Sequence, residues 1–153
     1  MTDPPSNISP PHPEDAVKTS RQLVEDYFDA CTRGDAQAIT ESFCDDAVVY
    51  DSNARPVAGA SEIGRFFARV REQRGNASWH IDTFVEGDDS AASEWTMIDR
   101  KGSDALVVRG SEHYEFRDGR ISQIRQYWTH DPTGVRVGLR GYPYDSDPRF
   151  VKP

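Results

Sequence analysis

The stretch LVEDYFDACTRGDAQAITESFCDDAVVYD, residues Leu23–Asp51, decides the fold of this chain. Apolar residues recur at helical spacing around Tyr27, and Gly34 is a typical helix stop. Asp35 is suited to cap a second helix. The run AVVY after that helix has the composition of a strand, which ends at Asp51. The pattern predicts helix, turn, helix and strand, and it directs Tyr27 and Asp51 towards one space.

Downstream of this stretch the hydrophobic period changes from that of a helix to that of a strand. A third helix is followed by four alternating runs, which are separated by the turn-like segments EGDDS, RKGSD and RDGR. This order predicts an α+β fold, with three N-terminal helices packed on a curved, mostly antiparallel sheet and a pocket between the two layers. The predicted helices are Asp15–Arg33, Asp35–Phe43 and Ser61–Arg74, and the predicted strands are Ala47–Asp51, Trp79–Val85, Ala91–Arg100, Ala105–Phe116 and Ile121–His130.

Length and composition predict one domain with a tail at each end. The chain has 153 residues, within the range of a single domain. Residues 1–14 are rich in proline and poor in apolar side chains, which predicts a disordered arm. We expect the domain to span residues 15–130. Residues 131–153 combine glycine and proline with apolar side chains, so we expect this extension to pack on the domain or on a dimer partner.

The charge and the absence of certain motifs exclude several classes of function. A net charge of −8 argues against nucleic acid and anionic membrane as partners. No apolar run is long enough for a membrane span or a signal peptide, so we expect a cytoplasmic protein. Cys31 and Cys44 have no metal-ligand spacing, and they are interpreted as buried, reduced thiols. We therefore expect neither a metal nor a cofactor.

The order of elements, together with the blocks YFDACTRGDAQAITESFCDDAVVYD, GASEIGRFF and SEHYEFRDGRISQIRQYW, resembles the superfamily of nuclear transport factor 2 (NTF2-like). Within it the sequence is most similar to ketosteroid isomerases and SnoaL-type polyketide cyclases. The resemblance implies a cone-shaped domain and an isomerase or cyclase that acts on a hydrophobic, carbonyl-bearing small molecule such as a polyketide or a steroid-like ring. The isomerase pattern of a tyrosine and two carboxyl groups falls on Tyr27, Asp51 and Glu112. Glu112 departs from the pattern, since the isomerases have aspartic acid there.

The residues themselves support the same chemistry. Glu112 shares a strand face with apolar side chains, and a carboxyl group in such surroundings stays protonated and donates a hydrogen bond. Asp51, at a strand end, is placed to act as a general base. The resemblance to the ketosteroid isomerases implies that Tyr27 and Glu112 hold the oxygen of an enolate. Each residue also has a structural interpretation: a core tyrosine, a turn aspartate, and a glutamate paired with Arg125.

Two other functions remain open at this stage. His80 and Asp99, together with Tyr27, resemble the histidine, aspartate and tyrosine of dehydratases with this fold, and a histidine oriented by a carboxylate would eliminate water by acid/base catalysis. The other alternative is a non-catalytic small-molecule-binding or dimerisation module. In any of these roles, the predicted substrate contacts are Phe28, Phe67, Trp95, Met97, Tyr114 and Tyr127.

The outer face of the predicted sheet indicates self-association. It would carry the mixed set Val107, Arg109, Ser111, His113 and Glu115, without helices to cover it. Such a face often meets its own copy in a symmetric dimer, so we expect a homodimer.

Overall fold

The computed structural model describes residues 18–99 and 106–128. They form three helices and a six-stranded mixed sheet, which confirms the predicted α+β class. The helices do not all precede the sheet, because two strands come before the third helix. The elements are α1 Ser20–Arg33, α2 Ala36–Glu41, β1 Phe43–Asp51, β2 Val57–Ala58, α3 Ala60–Gln73, β3 Ser78–Glu86, β4 Ser90–Asp99, β5 Leu106–Arg117 and β6 Arg120–Trp128.

Local capping sets the ends of the first two helices. Thr19 accepts a hydrogen bond from the backbone of Gln22, whose side chain bonds back to Thr19, so α1 begins at Ser20 and residues 18 and 19, which the prediction included, are not helical. Gly34 ends α1 with a φ of 72°, a conformation that glycine adopts without strain. Asp35 then caps α2 through the backbone of Ala38, as the sequence predicted.

Phe43 was predicted at the end of the second helix but belongs to β1. Its strand pairs with Ile121 of β6, and Ile121 donates its backbone N–H to the carbonyl of Ser42. Phe43 is fully buried by this pairing. A long-range contact therefore ends α2 early, and local helix propensity does not decide the conformation.

The sheet has the strand order β2-β1-β6-β5-β4-β3. Among the described strands, only the pairing of β1 with β6 is parallel and the other pairings are antiparallel, so the prediction of a mostly antiparallel sheet is confirmed. Because β1 joins the sheet beside β6, the strand that ends at Asp51 lies next to the last described strand. This arrangement decides which side chains can meet at the site.

The hydrophobic core lies between the helices and one face of the sheet, which we call the inner face. Tyr27 of α1 is at its centre, with its ring edge-on to those of Phe28, Phe43 and Phe67. Both cysteines, Cys31 and Cys44, are buried and reduced, as predicted.

Some predictions concern residues that the structure does not describe. These are the arm at 1–14, the start of the predicted first helix at 15–17, the ends of three predicted strands at Arg100, Ala105 and 129–130, and the packing of the extension at 131–153. None of the helices formed by residues 18–99 and 106–128 is long and apolar enough to cross a membrane.

Candidate active site

Four adjacent strands place polar side chains side by side on the inner face. Asp51 of β1 is in register with Gln126 of β6, which is also in register with Glu112 of β5. Glu112 is in turn paired with Ser93 of β4. Directly paired residues on neighbouring strands project to the same side of a sheet. Asp51, Gln126, Glu112 and Ser93 therefore form a continuous polar row across an otherwise apolar face.

Asp51 is held as an oriented carboxylate at one end of this row. It accepts hydrogen bonds from Gln126 Nε2 at 2.9 Å, from Trp128 Nε1 at 3.0 Å and from the backbone N–H of Asn53 at 2.6 Å. The bond from Asn53 confirms that Asp51 also shapes the turn. N–H donors on both oxygens fix the direction of a carboxylate. The side chain thus has the features of a proton acceptor that need not reorganise.

Glu112 is the second carboxyl group of the row, and its environment differs from that of Asp51. It is 3% exposed, and burial raises its pKa from 4.5 to about 8. The hydroxyl of Tyr114 donates to it at 2.5 Å, which opposes the shift, while the charge of Asp51 adds to it. Glu112 is therefore protonated at neutral pH, as the sequence predicted. The alternative ion pair with Arg125 does not form, because Arg125 binds Glu115 at 2.6 Å.

A cavity of about 130 Å³ opens at the Asp51 end of the row. Its walls are mainly apolar and rich in aromatic rings, and a carboxylate, two amides and a guanidinium supply the polar groups. The lining residues are Asp51, Phe66, Phe67, Val70, Gln73, Arg74, Trp79, Trp95, Met97, Gln126 and Trp128. The guanidinium of Arg74 is bound to Asp99 at 3.0 Å, so its charge is already balanced.

Gly110 allows Trp95 to reach this cavity. A Cβ atom at position 110 would lie 2.3 Å from Cζ2 of Trp95, so the indole ring rests directly on the backbone of β5. Position 110 is also in register with Trp128 of β6. The glycine thus lets Trp95 extend from β4 across β5, towards the strand that carries Gln126 and Trp128.

Tyr27 and Glu112 are buried, and neither is among the side chains that line the cavity. Tyr27 is 2% exposed, and its ring packs against Phe67, which is part of the cavity wall. Burial, followed by the charge of Glu112, raises the pKa of the Tyr27 phenol well above its usual value. The structure therefore brings Asp51 to the cavity, and it corrects the interpretation in which all three groups face one space.

His80 and Asp99 do not form the pair required by the dehydratase interpretation. In the register of β3 with β4, His80 is opposite Thr96, whereas Trp79 is opposite Met97. Asp99 shares its face with Met97, so it is on the inner face and His80 is on the outer one. His80 is exposed and contacts Ser78 on its own strand. The predicted pair is wrong because Asp99 is three residues from Thr96, the partner of His80. An odd separation puts the two side chains on opposite faces of the sheet.

The predicted substrate contacts have three different outcomes. Phe67, Trp95 and Met97 line the cavity, whereas Phe28 and Tyr114 are buried away from it. Tyr127 is 56% exposed and packs against His113 on the outer face, so its predicted place at the site is wrong.

Sequence reasoning missed Gln126 and Trp128. The alternation along β6 could have identified them, since Ile124, Gln126 and Trp128 share one face. A register shift between Glu115 and Phe116, close to the turn between β5 and β6, interrupts the alternation. The sequence pattern therefore does not show which residues of β6 face inwards. The described ranges hold no group of three or more His, Cys, Asp or Glu side chains that could bind a metal ion.

The profile of the SnoaL-like domain family matches residues 24–124, which is most of the chain. The chain belongs to the SnoaL-like domain family. Among curated proteins, none matches it significantly. The match runs from within α1 to within β6, and it includes Asp51, Ser93 and Glu112 of the polar row.

Solved structures share the fold. A protein of unknown function with a cystatin-like fold from Methylobium petroleophilum PM1 is 26% identical, with a TM-score of 0.65 over 82% of this chain and 86% of its own. A candidate polyketide cyclase from Sinorhizobium meliloti is 25% identical, with a TM-score of 0.59 over 69% of this chain and 93% of its own. A protein with a ketosteroid isomerase-like fold from Catenulispora acidiphila, solved in complex with trimethylamine, is 18% identical, with a TM-score of 0.66 over 72% and 88%. At 18% identity, the third shows the fold alone.

Proposed function

We propose that this SnoaL-like protein is an enzyme that needs no cofactor and moves a proton on a carbon atom next to a carbonyl group. The observation that carries the proposal is the Asp51 carboxylate, which Trp128, Gln126 and Asn53 hold at the polar end of an aromatic cavity. A fixed carboxylate beside an apolar wall is suited to removing a proton from a hydrophobic carbon acid. The isomerase and cyclase names of other proteins with this fold agree with such chemistry.

The reaction is isomerisation or cyclisation through an enolate. Asp51 takes the proton from the carbon, the electron pair of the C–H bond forms the C=C bond of the enolate, and the π pair of the C=O bond moves onto the carbonyl oxygen. In isomerisation the proton returns to a different carbon of the conjugated system. In cyclisation the enolate carbon forms a bond to a second carbonyl carbon of the same molecule, whose oxygen then takes the proton.

Glu112 supports this chemistry through its charge state and not through contact with the substrate. At neutral pH it is protonated, so it adds no second negative charge to the row beside Asp51. Its bond with Tyr114 and the contact of Tyr114 with Ser93 at 2.8 Å keep the row fixed behind the cavity. Tyr27 contributes packing, so Tyr27→Phe should change the rate much less than a change at Asp51.

Hydrogen exchange on a simple ketone tests the proposal without knowledge of the natural substrate. We expect the protein to accelerate exchange of the α-hydrogens of 2-methylcyclohexanone in D₂O, followed by NMR. This ketone has one ring, is apolar and has only a carbonyl as its polar group. Exchange that is no faster than in buffer of the same pH would overturn the proposed chemistry.

A second candidate function is binding of a small alkylammonium ion without catalysis. Three tryptophans, Trp79, Trp95 and Trp128, line the cavity with the Asp51 carboxylate, and aromatic faces with a carboxylate bind such cations well. In this case choline should bind about tenfold or more tightly than its neutral isostere 3,3-dimethyl-1-butanol in calorimetry, the gain that a desolvated cation–π contact gives. Equal affinities would exclude this candidate.

We also propose that the protein is a homodimer that associates through the outer face of the sheet. Tyr50 and Tyr127 are 44% and 56% exposed there, near His113 and Arg125. Exposed aromatic rings with charged neighbours are typical of a surface that meets a protein partner. Light scattering should give twice the 17.2 kDa of the chain, and Tyr127→Glu should reduce it towards a monomer. A mass of one chain at micromolar concentration would contradict the dimer.

A further inference from the structure

Two polar atoms of the cavity-lining side chains are buried and have no hydrogen-bond partner in the described part of the protein. They are Nε1 of Trp95, which can only donate, and Oε1 of Gln126, which can only accept. Trp95 is 3% exposed and Gln126 is 9% exposed. Leaving such atoms unpaired costs free energy, so a buried pair of this kind in one cavity indicates a bound molecule that completes it.

The position of Gln126 Oε1 is fixed by its neighbour Asp51. The other end of the amide, Nε2, donates to Asp51 Oδ2 at 2.9 Å. A carboxylate only accepts hydrogen bonds, so turning the amide over would set two oxygens against each other. The amide orientation is therefore determined, and Oε1 is the end left to receive a hydrogen from a ligand.

The orientation of Trp95 is also constrained. Its ring lies on Gly110, where a Cβ atom would come within 2.7 Å of Cε2, the ring carbon bonded to Nε1. The six-membered part of the indole ring, which includes Cε2, thus lies over β5, the strand between β4 and β6. Trp95 and Gln126 line the same cavity of about 130 Å³.

We propose that Trp95 Nε1 donates to the carbonyl oxygen of the substrate, that Gln126 Oε1 accepts the hydrogen of a hydroxyl group on the same molecule, and that the substrates are therefore compact hydroxy ketones. This assignment rests on the proposed function of the site. A hydroxyl group near the carbonyl group can donate to Gln126 Oε1 while the carbonyl oxygen accepts from Trp95 Nε1. A plain ketone leaves Gln126 Oε1 unpaired.

The cavity also limits the part of the substrate that it encloses. A cavity of roughly 150 Å³ holds a benzene-sized molecule, so about 130 Å³ encloses one ring or a short chain. A ligand in it would have its carbonyl at Trp95 and its hydroxyl at Gln126, beside Asp51. Trp95 then takes the position of the oxyanion donor, since Tyr27 and Glu112 do not line the cavity.

Equilibrium binding of two matched ketones tests this assignment independently of turnover. The ketones 2-hydroxycyclohexanone and 2-methylcyclohexanone share the same carbonyl group, and the first has a hydroxyl where the second has a methyl group of similar size. We expect the hydroxy ketone to bind about tenfold more tightly in calorimetry, the effect of one hydrogen bond to a buried group that is otherwise unpaired. Equal affinities, or no binding of the hydroxy ketone at 10 mM, would overturn the proposal.

Two variants assign the contacts. Gln126→Met keeps the side-chain length but removes the acceptor, so the ratio between the two ketones should fall to about one. Trp95→Phe removes the donor to the shared carbonyl, so both ketones should weaken by a similar factor while the ratio persists. Trp79→Phe is the control for Trp95→Phe, because it removes an indole from the same wall. An unchanged ratio in Gln126→Met would overturn the assignment of the hydroxyl.

A spectroscopic measurement on the unmodified protein covers the case in which a variant does not fold. The chain has three tryptophans, which give three indole N–H signals in a ¹⁵N-labelled sample. Both ketones should shift the Trp95 signal downfield, and an unmoved signal at saturating ketone would overturn the donor assignment. If the ketones discriminate as expected but no α-hydrogen exchanges, the binding assignment stands and the proposed catalytic function fails.

Discussion

Replacing Asp51 with asparagine is expected to slow α-hydrogen exchange of 2-methylcyclohexanone by about 100-fold or more, the usual effect of losing a general base. Asparagine keeps the size of the side chain, and its amide oxygen can still accept from Trp128. It removes the basic carboxylate oxygens, so it cannot take a proton from carbon. The affinity for this ketone should change little, because the ketone offers no donor that requires the charge.

His80→Ala is the matched control for this experiment. His80 is exposed on the outer face of β3, and its imidazole does not line the cavity. Its removal should leave the exchange rate within about twofold, consistent with the small effect of most exposed substitutions. A severe loss in His80→Ala with a tolerated Asp51→Asn would reverse the assignment of the base. If neither substitution changes the rate, proton transfer at this site does not occur, and ligand binding becomes the better interpretation.

The sequence predicted those parts of the site that depend on local pattern. The alternation along β5 predicted that Glu112 lies on an apolar face, and the structure confirms its burial and its raised pKa. The composition of β1 likewise predicted that Asp51 ends a strand. In each case one strand and its period of two carry the information. No knowledge of strand order was needed.

The remaining parts depend on contacts between elements that are distant in the sequence. The bond from Gln126 to Asp51 requires the parallel pairing of β1 with β6, and the sequence pattern does not reveal that pairing. The separation of His80 from Asp99 depends on the register of β3 with β4, where a slip of one residue exchanges the faces. Tyr27 was predicted at the pocket, but Phe67 of α3, against which its ring packs, lines the cavity instead.

The second large effect is expected in the pH dependence of stability. The Glu112 carboxyl group has a pKa of about 8 in the folded protein and an ordinary value of 4.5. Between these values the folded protein retains a proton that the unfolded chain has released. Raising the pH through this window therefore favours unfolding, and the stability associated with Glu112 is fully present below about pH 4.5 and lost by about pH 8. The change corresponds to on the order of 4 kcal/mol in the free energy of unfolding.

Comparison with Glu112→Gln isolates this contribution, because glutamine is neutral at every pH and of similar shape. Other groups, such as Asp82, whose pKa burial also raises, contribute equally to both proteins. Urea unfolding should give similar stabilities at pH 5 and a variant that is more stable at pH 9, by on the order of 4 kcal/mol. Glu115→Gln is the control on the same strand, since Glu115 is exposed and its removal should leave the pH dependence close to that of the original protein. Parallel curves for the original protein and Glu112→Gln from pH 5 to 9 would mean that Glu112 is already ionised in the folded state. Asp51 would then have a second anion beside it, and the row with a single negative charge, on which the proposed proton transfer depends, would not exist.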